Sequence, residues 1–376
     1  MAGIYLHIPF CKKRCIYCDF FSTTRKEQKT AYIRALCHEL TDRKNYLKGE
    51  PIETIYLGGG TPSQLAKEDF EAIFSHIYKV YKVTPNAEIT LEANPDDLTS
   101  EYISMLRTFP FNRISMGIQT FQETTLKQLQ RRHPADQAIR AFQGCRTAGF
   151  QNISIDLMYG LPGETLTSWK KDLKQALSLH PEHISAYHLI YEEGTPLWKL
   201  REQHKVEEAD EDLSVSLFGT LIDELTTAGY EHYEISNFCR PDKYSRHNTS
   251  YWRGIPYLGC GPSAHSFNGA TREWNVSSID LYIKGIERNQ RDFETENLDQ
   301  TTRYNEFIIT TIRTIWGTPI EKLKQEFGNE LWEYCRKMAK PYLESRKLEE
   351  HNGTLRLTRE GIFISDSIIS DLLWVD

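Results

Sequence analysis

Residues 11–18 read Cys11-Lys12-Lys13-Arg14-Cys15-Ile16-Tyr17-Cys18 and place three cysteines within eight residues, directly after an apolar stretch. Three thiols cannot all pair as disulfides, because one is left over. A structural zinc site normally needs four protein ligands, and no fourth Cys or His follows at finger spacing. An iron–sulfur cube is held by cysteine thiolates, usually four, so three would leave one iron open to an outside ligand. The stretch therefore predicts a 4Fe-4S cluster with one open coordination position.

The bulk composition limits the class of protein. The chain has 376 residues, enough for a large core and two domains, and its 26% charged and 39% hydrophobic residues are typical of a soluble globular protein. No apolar run approaches the length of a membrane-spanning helix, and no signal pattern opens the chain. The other five cysteines are scattered, as expected in a reducing compartment, so we expect a cytoplasmic protein. A net charge of −7 argues against a general nucleic-acid-binding surface.

Apolar runs of strand length alternate with amphipathic stretches from residue 3 to about residue 240. The predicted strands are residues 4–8, 54–57, 88–92, 113–118, 153–158 and 183–189. The predicted helices are residues 30–46, 67–80, 99–107, 135–148, 165–177 and 210–228. Steady alternation of strand and helix predicts a parallel sheet with helices outside. Six such units favour an open, partial (β/α)6 barrel, whose ligand site lies at the carboxyl ends of the strands.

Polar residues occur where several predicted strands end. Gly58-Gly59-Gly60-Thr61 follows the second strand, Glu92 ends the third, Gln119 follows the fourth and Asp156 lies within the fifth. An acid in an apolar strand is costly unless a ligand or a basic neighbour satisfies it. A glycine run is equally consistent with a tight strand–helix turn, and an ion pair would equally explain Glu92. Together the set predicts one polar ligand cavity.

A basic segment follows the fourth strand. Arg131 is placed to form a bidentate contact with a carboxylate, and we expect it in the same cavity. Its neighbours Arg132 and His133 are expected on the solvated surface.

The C-x3-C-x2-C spacing after a first strand resembles the radical S-adenosylmethionine (SAM) superfamily. The phrase Tyr5-Leu6-His7-Ile8-Pro9-Phe10-Cys11 narrows the resemblance to the oxygen-independent coproporphyrinogen III oxidase-like branch, and the resemblance covers nearly the whole chain. In that superfamily the open iron binds the amino and carboxylate groups of SAM, and one electron from the cluster cleaves the sulfonium to give a 5′-deoxyadenosyl radical.

The resemblance implies a role for each matched residue. Cys11, Cys15 and Cys18 would ligate the 4Fe-4S cluster. The SAM pocket would consist of Tyr5, Tyr17, Gly59, Gly60, Thr61, Glu92, Gln119, Arg131 and Asp156. In the oxidases, the positions of the last three touch a second SAM. Cysteine ligands of this kind are expected to have a low thiol pKa, which would make the cluster sensitive to oxygen.

Two departures from the oxidases point to the related HemW-type haem chaperones. Phe20 stands where the oxidases have a fourth cysteine, and the long segment before their first strand is missing, because the cysteine motif begins at residue 11. His247-Asn248-x-x-Tyr251-Trp252 matches a signature of that group, which implies a haem site at His247, Tyr251 and Trp252. His265 is a second candidate ligand. In the alternative interpretation His247 makes structural hydrogen bonds, and the two aromatic residues fill the core between the domains.

The regular alternation stops near residue 240, so we expect a barrel domain over residues 1–240 and a smaller, mainly helical domain over residues 241–376. Helices are predicted at residues 301–315, 319–327, 331–346 and 360–373, with a short β-hairpin around Asn352-Gly353. The arrangement resembles a winged helix, but it lacks a basic recognition face. We interpret it as a lid or a partner surface over the open barrel.

Three functions are consistent with the sequence. The first is a haem chaperone that binds a 4Fe-4S cluster, SAM and haem, and delivers haem to acceptor haemoproteins. The second is an oxygen-independent coproporphyrinogen III oxidase, against which Phe20 and the short N-terminus count. The third is a radical SAM enzyme acting on tRNA, which would need a basic RNA-binding module that the acidic balance does not supply. The sequence is also consistent with a homodimer and with peripheral contact with a membrane.

Overall fold

Six parallel strands follow the first six apolar runs of the sequence and form the centre of one large sheet. The fold is that of a computed structural model, which describes residues 1–375. The strands are β1 Ala2–Ile8, β2 Ile52–Gly59, β3 Val83–Ala93, β4 Arg113–Gln119, β5 Ile153–Tyr159 and β6 His183–His188. They pair in chain order, each parallel to the next. All six predicted strands are confirmed to within a few residues at their ends.

Eight helices occupy the stretches between and after these strands. They are α1 Lys29–Asp42, α2 Lys67–Val80, α3 Ser100–Leu106, α4 Glu123–Gln128, α5 Ala135–Thr147, α6 Leu166–Ser178, α7 Pro196–Glu202 and α8 Glu211–Thr227. In α2, the carboxylate of Asp69 accepts the backbone N–H of Ala66 at 2.8 Å and satisfies the first turn. Phe70, Ile73 and Ile77 share one buried face, and burying each stabilises the fold by roughly 1.5–3 kcal/mol.

Short strands extend the sheet at both edges. At one edge, β7 Glu231–Glu234 and β8 Asn237–Cys239 add antiparallel strands after β6. At the other, β9 Tyr257–Cys260 runs parallel to β1, followed by the antiparallel strands β10 His265–Phe267, β11 Thr271–Asn275 and β12 Phe293–Asn297. The order is β12-β11-β10-β9-β1-β2-β3-β4-β5-β6-β8-β7. Helices α9 Arg246–Trp252 and α10 Ile279–Glu287 lie between these edge strands in the chain.

The last part of the chain is mainly helical and has its own hydrophobic core, from Tyr304 to Leu372. Its elements are α11 Gln300–Ile312, β13 Thr318–Pro319, α12 Ile320–Glu344, β14 Leu348–His351, β15 Thr354–Leu357, α13 Arg359–Ile362 and α14 Ser365–Leu372. Helix α12 is broken at Gly328, whose φ is 84°, so the two helices predicted there are separated by a kink. The turn between β14 and β15 has positive φ at Asn352 and Gly353, as the Asn-Gly pair predicts.

The predicted fold class is confirmed: an open β/α barrel of six units with a smaller, mainly helical C-terminal part that contains a β-hairpin. The division at residue 240 stays a prediction. After that residue the chain first adds four strands to the main sheet, and the main core extends to Ile286 before the second core begins. Among residues 1–375, no helix is both long and apolar enough to cross a membrane.

Alternation along the strands separates an apolar outer face from a polar interior. In β1, Ile4, Leu6 and Ile8 are fully buried in the core, whereas Tyr5 and His7 project to the opposite face of the sheet. The corresponding interior side chains of the other strands are polar, namely Thr54, Tyr56, Glu88, Glu92, Arg113, Ser115, Asp156, His183 and Ser185. The barrel therefore encloses polar groups that can bind a ligand.

The variant Gly259→Ala tests the packing of β9 against β10. A Cβ at this position would lie 1.9 Å from the carbonyl oxygen of His265, so the backbone would have to move. We expect a larger fall in melting temperature than for the control variant Gly353→Ala. The new Cβ of that control has no neighbour within 4 Å, so its destabilisation is limited to about 1–2 kcal/mol of left-handed backbone strain. Thermal unfolding followed by circular dichroism compares the two, and equal shifts would contradict this packing.

Candidate cluster and cofactor site

The three motif cysteines lie on the loop after β1, at the carboxyl edge of the parallel strands. Cys11 is buried, Cys15 and Cys18 are half-buried, and all three are free thiols. The backbone N–H of Cys11 donates to the carbonyl of Thr23 at 2.8 Å, which closes the base of the loop. The N–H of Cys18 donates to the carbonyl of Cys15 at 3.3 Å. The loop thus folds back on itself and holds the cysteines in one place.

Two polar side chains from other loops donate to the cysteine sulfurs. The hydroxyl of Thr61 donates to Sγ of Cys11 at 3.3 Å, and Nη1 of Arg131 donates to Sγ of Cys15 at 3.3 Å. Hydrogen bonds to cysteine sulfurs are one means by which proteins set the reduction potential of an iron–sulfur cluster. Among residues 1–375, no three His, Cys, Asp or Glu side chains are grouped closely enough to hold a single metal ion. A cube attaches each thiolate to a different iron, so it does not require such a single-ion site.

The low thiol pKa expected for the cluster ligands is not found at Cys11 and Cys18 in the metal-free loop. Burial raises the pKa of Cys18 to about 11, and burial also raises the pKa of Cys11. Both thiols are therefore protonated at neutral pH when no metal is bound. Because the thiolate is the form that binds iron, loading the cluster must displace these protons.

Arg131 joins the cluster loop to the ends of β3 and β4. Its Nη2 donates to Oδ1 of Asn94 at 2.9 Å and to the carbonyl of Gly117 at 2.5 Å, and its Nη1 lies 3.5 Å from the hydroxyl of Tyr17. A Cβ at Gly117 would lie 3.0 Å from Nε2 of Gln119. Tyr17, Gln119 and Arg131 are thus brought together beside Cys15. Asn94, which also contacts Thr61 at 3.4 Å, was missed from the sequence although it directly follows the third strand.

Gln119 adopts an uncommon backbone conformation at the end of β4. Its φ is 73°, in the left-handed region that residues other than glycine rarely adopt. Such strain often occurs at ligand sites, because it fixes the direction of one side chain.

Glu92 and Asp156 face the barrel interior without a direct ion pair, although the charge of the nearby Arg113 acts on both. The carboxylate of Glu92 accepts the hydroxyl of Tyr56 at 2.7 Å and the N–H of Gly59 at 3.1 Å, and that of Asp156 accepts the hydroxyl of Ser115 at 3.4 Å. In the described part of the chain neither carboxylate forms an ion pair, so the ion-pair interpretation of Glu92 does not hold there. Burial raises the pKa of Glu92 to about 7 and that of Asp156 to about 6. Both would gain from a cationic or hydroxyl-rich ligand.

The glycine run after β2 is required by packing. A Cβ at Gly59 would lie 2.7 Å from the ring of His7, and one at Gly60 would lie 2.7 Å from the backbone of Pro9. The ends of β1 and β2 can approach this closely only if both residues are glycine. The run therefore places Thr61 beside Cys11, and its contact with SAM stays a prediction.

The prediction that Arg132 and His133 lie on the solvated surface is wrong. Arg132 forms ion pairs with Asp96 at 2.8 Å and Asp97 at 3.2 Å, and Lys12 of the cluster loop pairs with Asp97 at 3.0 Å. His133 is 2% exposed, and one ring nitrogen lies 3.3 Å from the carbonyl of Ile118. These residues tie the cluster loop to the segments after β3 and β4.

His247 lies inside the barrel near the amino ends of the strands. Its Nδ1 is 2.7 Å from the hydroxyl of Thr54, its Nε2 is 2.8 Å from the hydroxyl of Tyr251, and its ring stacks on Tyr56. The side chain is 1% exposed, and its backbone N–H donates to Glu88 at 3.1 Å. These bonds correspond to the structural interpretation of this histidine. An iron could bind only if one of them broke, so haem ligation by His247 stays a prediction.

A large cavity opens beside the cluster loop, between the sheet edge at β9–β11 and helices α11 and α12. Its volume is about 1170 Å³. We call it the side cavity; its walls include Tyr5, His7, Phe20, Phe21, Tyr251, Trp252, Arg253, Tyr257, His265, Phe267, Arg272, Arg303, Phe307, Trp316 and Lys322. Tyr5 links it to the barrel interior, because its ring stacks on Tyr56 at 6.2 Å. Tyr251 and Trp252, predicted from the sequence to bind haem, both line it.

The variant Glu92→Gln tests the buried carboxyl group. The folded protein binds the Glu92 proton more tightly than the unfolded chain, since burial raises the pKa from 4.5 to about 7. The free energy of unfolding therefore falls as the pH rises through this range. The variant has no titrating group at this position, so its free energy of unfolding does not fall for this reason. Its stability relative to the unsubstituted protein should rise between about pH 4.5 and pH 8. Thermal unfolding of metal-free protein measures this. The exposed Glu360→Gln is the control, and a difference that does not vary with pH would contradict the assignment.

Known protein families match both the barrel and the C-terminal helical part of the chain. The family model described as the radical SAM superfamily matches residues 5–176, and that of the HemN C-terminal domain matches residues 298–364. The heme chaperone HemW of Bacillus subtilis is 31% identical over 376 residues, covering 99% of both chains. The heme chaperone HemW of Lactococcus lactis is 32% identical over 373 residues, covering 99% of this chain and 97% of the relative.

A solved structure supports the fold over the same length. Coproporphyrinogen III oxidase (HemN) from Escherichia coli, described as a radical SAM enzyme, is similar with a TM-score of 0.86 at 22% sequence identity, covering 99% of this chain and 89% of that one. At this identity the likeness concerns the fold alone. The end-to-end matches at 31–32% identity show more: the chain belongs to the HemW family of heme chaperones, within the radical SAM superfamily.

Proposed function

We propose that this protein is a haem chaperone that binds a 4Fe-4S cluster, SAM and haem, and delivers haem to acceptor haemoproteins in the cytoplasm. The observation that carries the proposal is the position of the three-cysteine loop next to the side cavity, whose walls are aromatic and basic. Relatives matched over their whole length are named heme chaperones, which supports the same function. A homodimer and contact with a membrane surface remain predictions.

The cluster would be held by Cys11, Cys15 and Cys18, with Thr61 and Arg131 donating hydrogen bonds to two of the sulfurs. When bound, a cluster with one open iron supplies a place for SAM to coordinate and an electron to cleave it. The chain's own residues would orient SAM: Tyr17, Gln119 and Arg131 on one wall, with Gly59, Gly60 and Thr61 at the methionyl end.

Glu92 and Asp156 would accept hydrogen bonds from the amino group or the ribose hydroxyls of SAM. Such contacts would offset the cost of desolvating two carboxyl groups that feel the charge of Arg113 but form no ion pair within the described chain. Tyr5 completes this proposed pocket at its junction with the side cavity.

Haem suits the side cavity chemically. Flat aromatic side chains can pack on the porphyrin plane, and guanidinium groups can pair with its propionates. Tyr251 and Trp252 are the proposed aromatic contacts, and His247 supports Tyr251 through the 2.8 Å hydrogen bond to its hydroxyl. Direct ligation of haem iron by His247 would need a rearrangement of α9.

Replacing Cys11, Cys15 or Cys18 by serine should abolish the visible absorbance of the reconstituted cluster, because each thiolate would hold one iron. Replacing the buried Cys37, Cys145 or Cys335 by serine should leave it intact, since these lie in the two hydrophobic cores. Iron and sulfide analysis after anaerobic reconstitution measures both sets. Loss of the cluster in the second set alone would show a different ligand set.

Purified, cluster-loaded protein should bind haem and then lose it to an apo-haemoprotein such as apomyoglobin. Absorbance of bound haem follows binding, and separation of the two proteins follows the transfer. Incubation with coproporphyrinogen III, SAM and a reductant should give no protoporphyrinogen IX, because Phe20 replaces the fourth cysteine of the oxidases. Formation of that product would support the oxidase instead, and failure to bind haem would contradict the chaperone proposal.

A further inference from the structure

The side cavity contains an exposed histidine that the proposed cluster and SAM sites do not use. His265 begins β10, and its ring stacks on Trp274 with the centroids 5.7 Å apart. Within residues 1–375 no hydrogen bond involves its imidazole, in contrast to His247, whose two ring nitrogens are both occupied. An exposed and unbonded imidazole in a large cavity is free to bind an additional group.

We propose that His265 is the axial ligand of haem bound in the side cavity. The inference rests on the proposed haem-chaperone function and assigns its binding site. Iron ligation by imidazole needs a ring nitrogen that is accessible and unprotonated. His265 is exposed to the cavity, and burial together with the charge of Arg272 lowers its pKa, which keeps the ring neutral at neutral pH.

The charges around the cavity suit a ligand with two carboxylates. Four basic side chains face it, Arg253, Arg272, Arg303 and Lys322, against two acidic ones, Glu306 and Glu326. Arg272 already pairs with Glu306 at 3.0 Å, and Lys322 with Glu326 at 3.7 Å. In the described chain no carboxylate lies within ion-pair distance of Arg253 or Arg303. These two guanidinium groups are available for two propionates.

The walls and the size also fit a porphyrin. Tyr257, Phe267 and Trp316 line the cavity, and the guanidinium of Arg253 lies 4.6 Å from the centre of the Trp316 ring. A cavity of about 1170 Å³ exceeds the roughly 300–1,000 Å³ of ordinary ligand pockets. A large, flat, partly apolar dianion is the ligand class that this combination would accept.

The proposed haem site also explains why a large apolar residue, Phe20, is exposed on the cysteine loop. It is 65% exposed and lines the side cavity beside Phe21, at the end nearest the cluster loop. In place of a cysteine it presents an apolar face to the cavity. Phe20 therefore adds an apolar surface, contributed by the cysteine loop, to the same cavity that His265 lines.

The test is a haem titration of the full-length, cluster-loaded protein and its variants. His265→Ala should weaken haem affinity about tenfold or more, since losing even a residue that only hydrogen-bonds a metal ligand typically costs that much, and should remove the spectral signature of imidazole ligation. The substitution pair Arg253→Ala and Arg303→Ala should weaken affinity by about two- to fivefold per arginine without changing the ligation spectrum. His204→Ala, at an exposed histidine at the end of α7, is the matched control and should bind as the unsubstituted protein does.

The outcomes separate the two proposals. If the unsubstituted protein binds haem and His265→Ala binds it equally with an unchanged spectrum, the assignment of His265 is overturned, while the chaperone function stands. Loss of the imidazole signature in His247→Ala but not in His265→Ala would likewise overturn it and support ligation by His247. If the unsubstituted protein binds no haem, both proposals fail. Retention of cluster absorbance and of the circular dichroism spectrum in each variant excludes unfolding as the cause.

Discussion

The close approach of the loops that follow β1 and β2 is the constraint on which the site depends. The N–H of Gly60 donates to the carbonyl of Ile8 at 2.8 Å, and there is no room for a Cβ at Gly60 or Gly59. This approach places the hydroxyl of Thr61 on the sulfur of Cys11. The loop is also held by its own turn, by the bond to Thr23 and by the contacts of Lys12 and Cys15 with Asp97 and Arg131. The backbone geometry of two neighbouring parallel strands therefore determines where a cluster would be held.

Several polar groups of the barrel interior are only partly satisfied in the free protein. Glu92 and Asp156 are half-buried with raised pKa values, and Nε and Nη1 of the buried Arg113 have no hydrogen-bond partner among the described residues. Unsatisfied polar groups in a core destabilise the fold unless a bound molecule or water completes them. Within the described chain, Glu92, Asp156 and Arg113 form no direct ion pair with one another. Such an arrangement favours the bound state over the empty one.

Periodicity made the barrel predictable, because strands covered on both faces and amphipathic helices have local sequence signatures. Strands β9–β12 have three to five residues each and carry little signal, and the pairing of β9 with β1 joins segments about 250 residues apart. The spacing of the three cysteines predicted that they share one loop, as they do, and their ligation of a cluster stays a prediction. The burial of Arg132 could not, because it depends on Asp96 and Asp97, more than thirty residues earlier in the chain. Likewise, only the fold shows that Thr54 and Glu88 surround His247.

The two histidines near the barrel show why position in the fold matters more than membership of a motif. His247 lies near the amino ends of the strands, where Glu88 accepts the first N–H groups of α9 and Thr54 and Tyr251 occupy the imidazole. Helix α9 thereby packs against that end of the barrel interior. The side cavity reaches both this helix and the cluster loop, since Phe20 and Phe21 of the cluster loop and Tyr251 and Trp252 of α9 all line it. Because His265 faces the cavity and His247 lies beneath it, the motif histidine is better suited to hold Tyr251 in the cavity wall than to meet the iron itself.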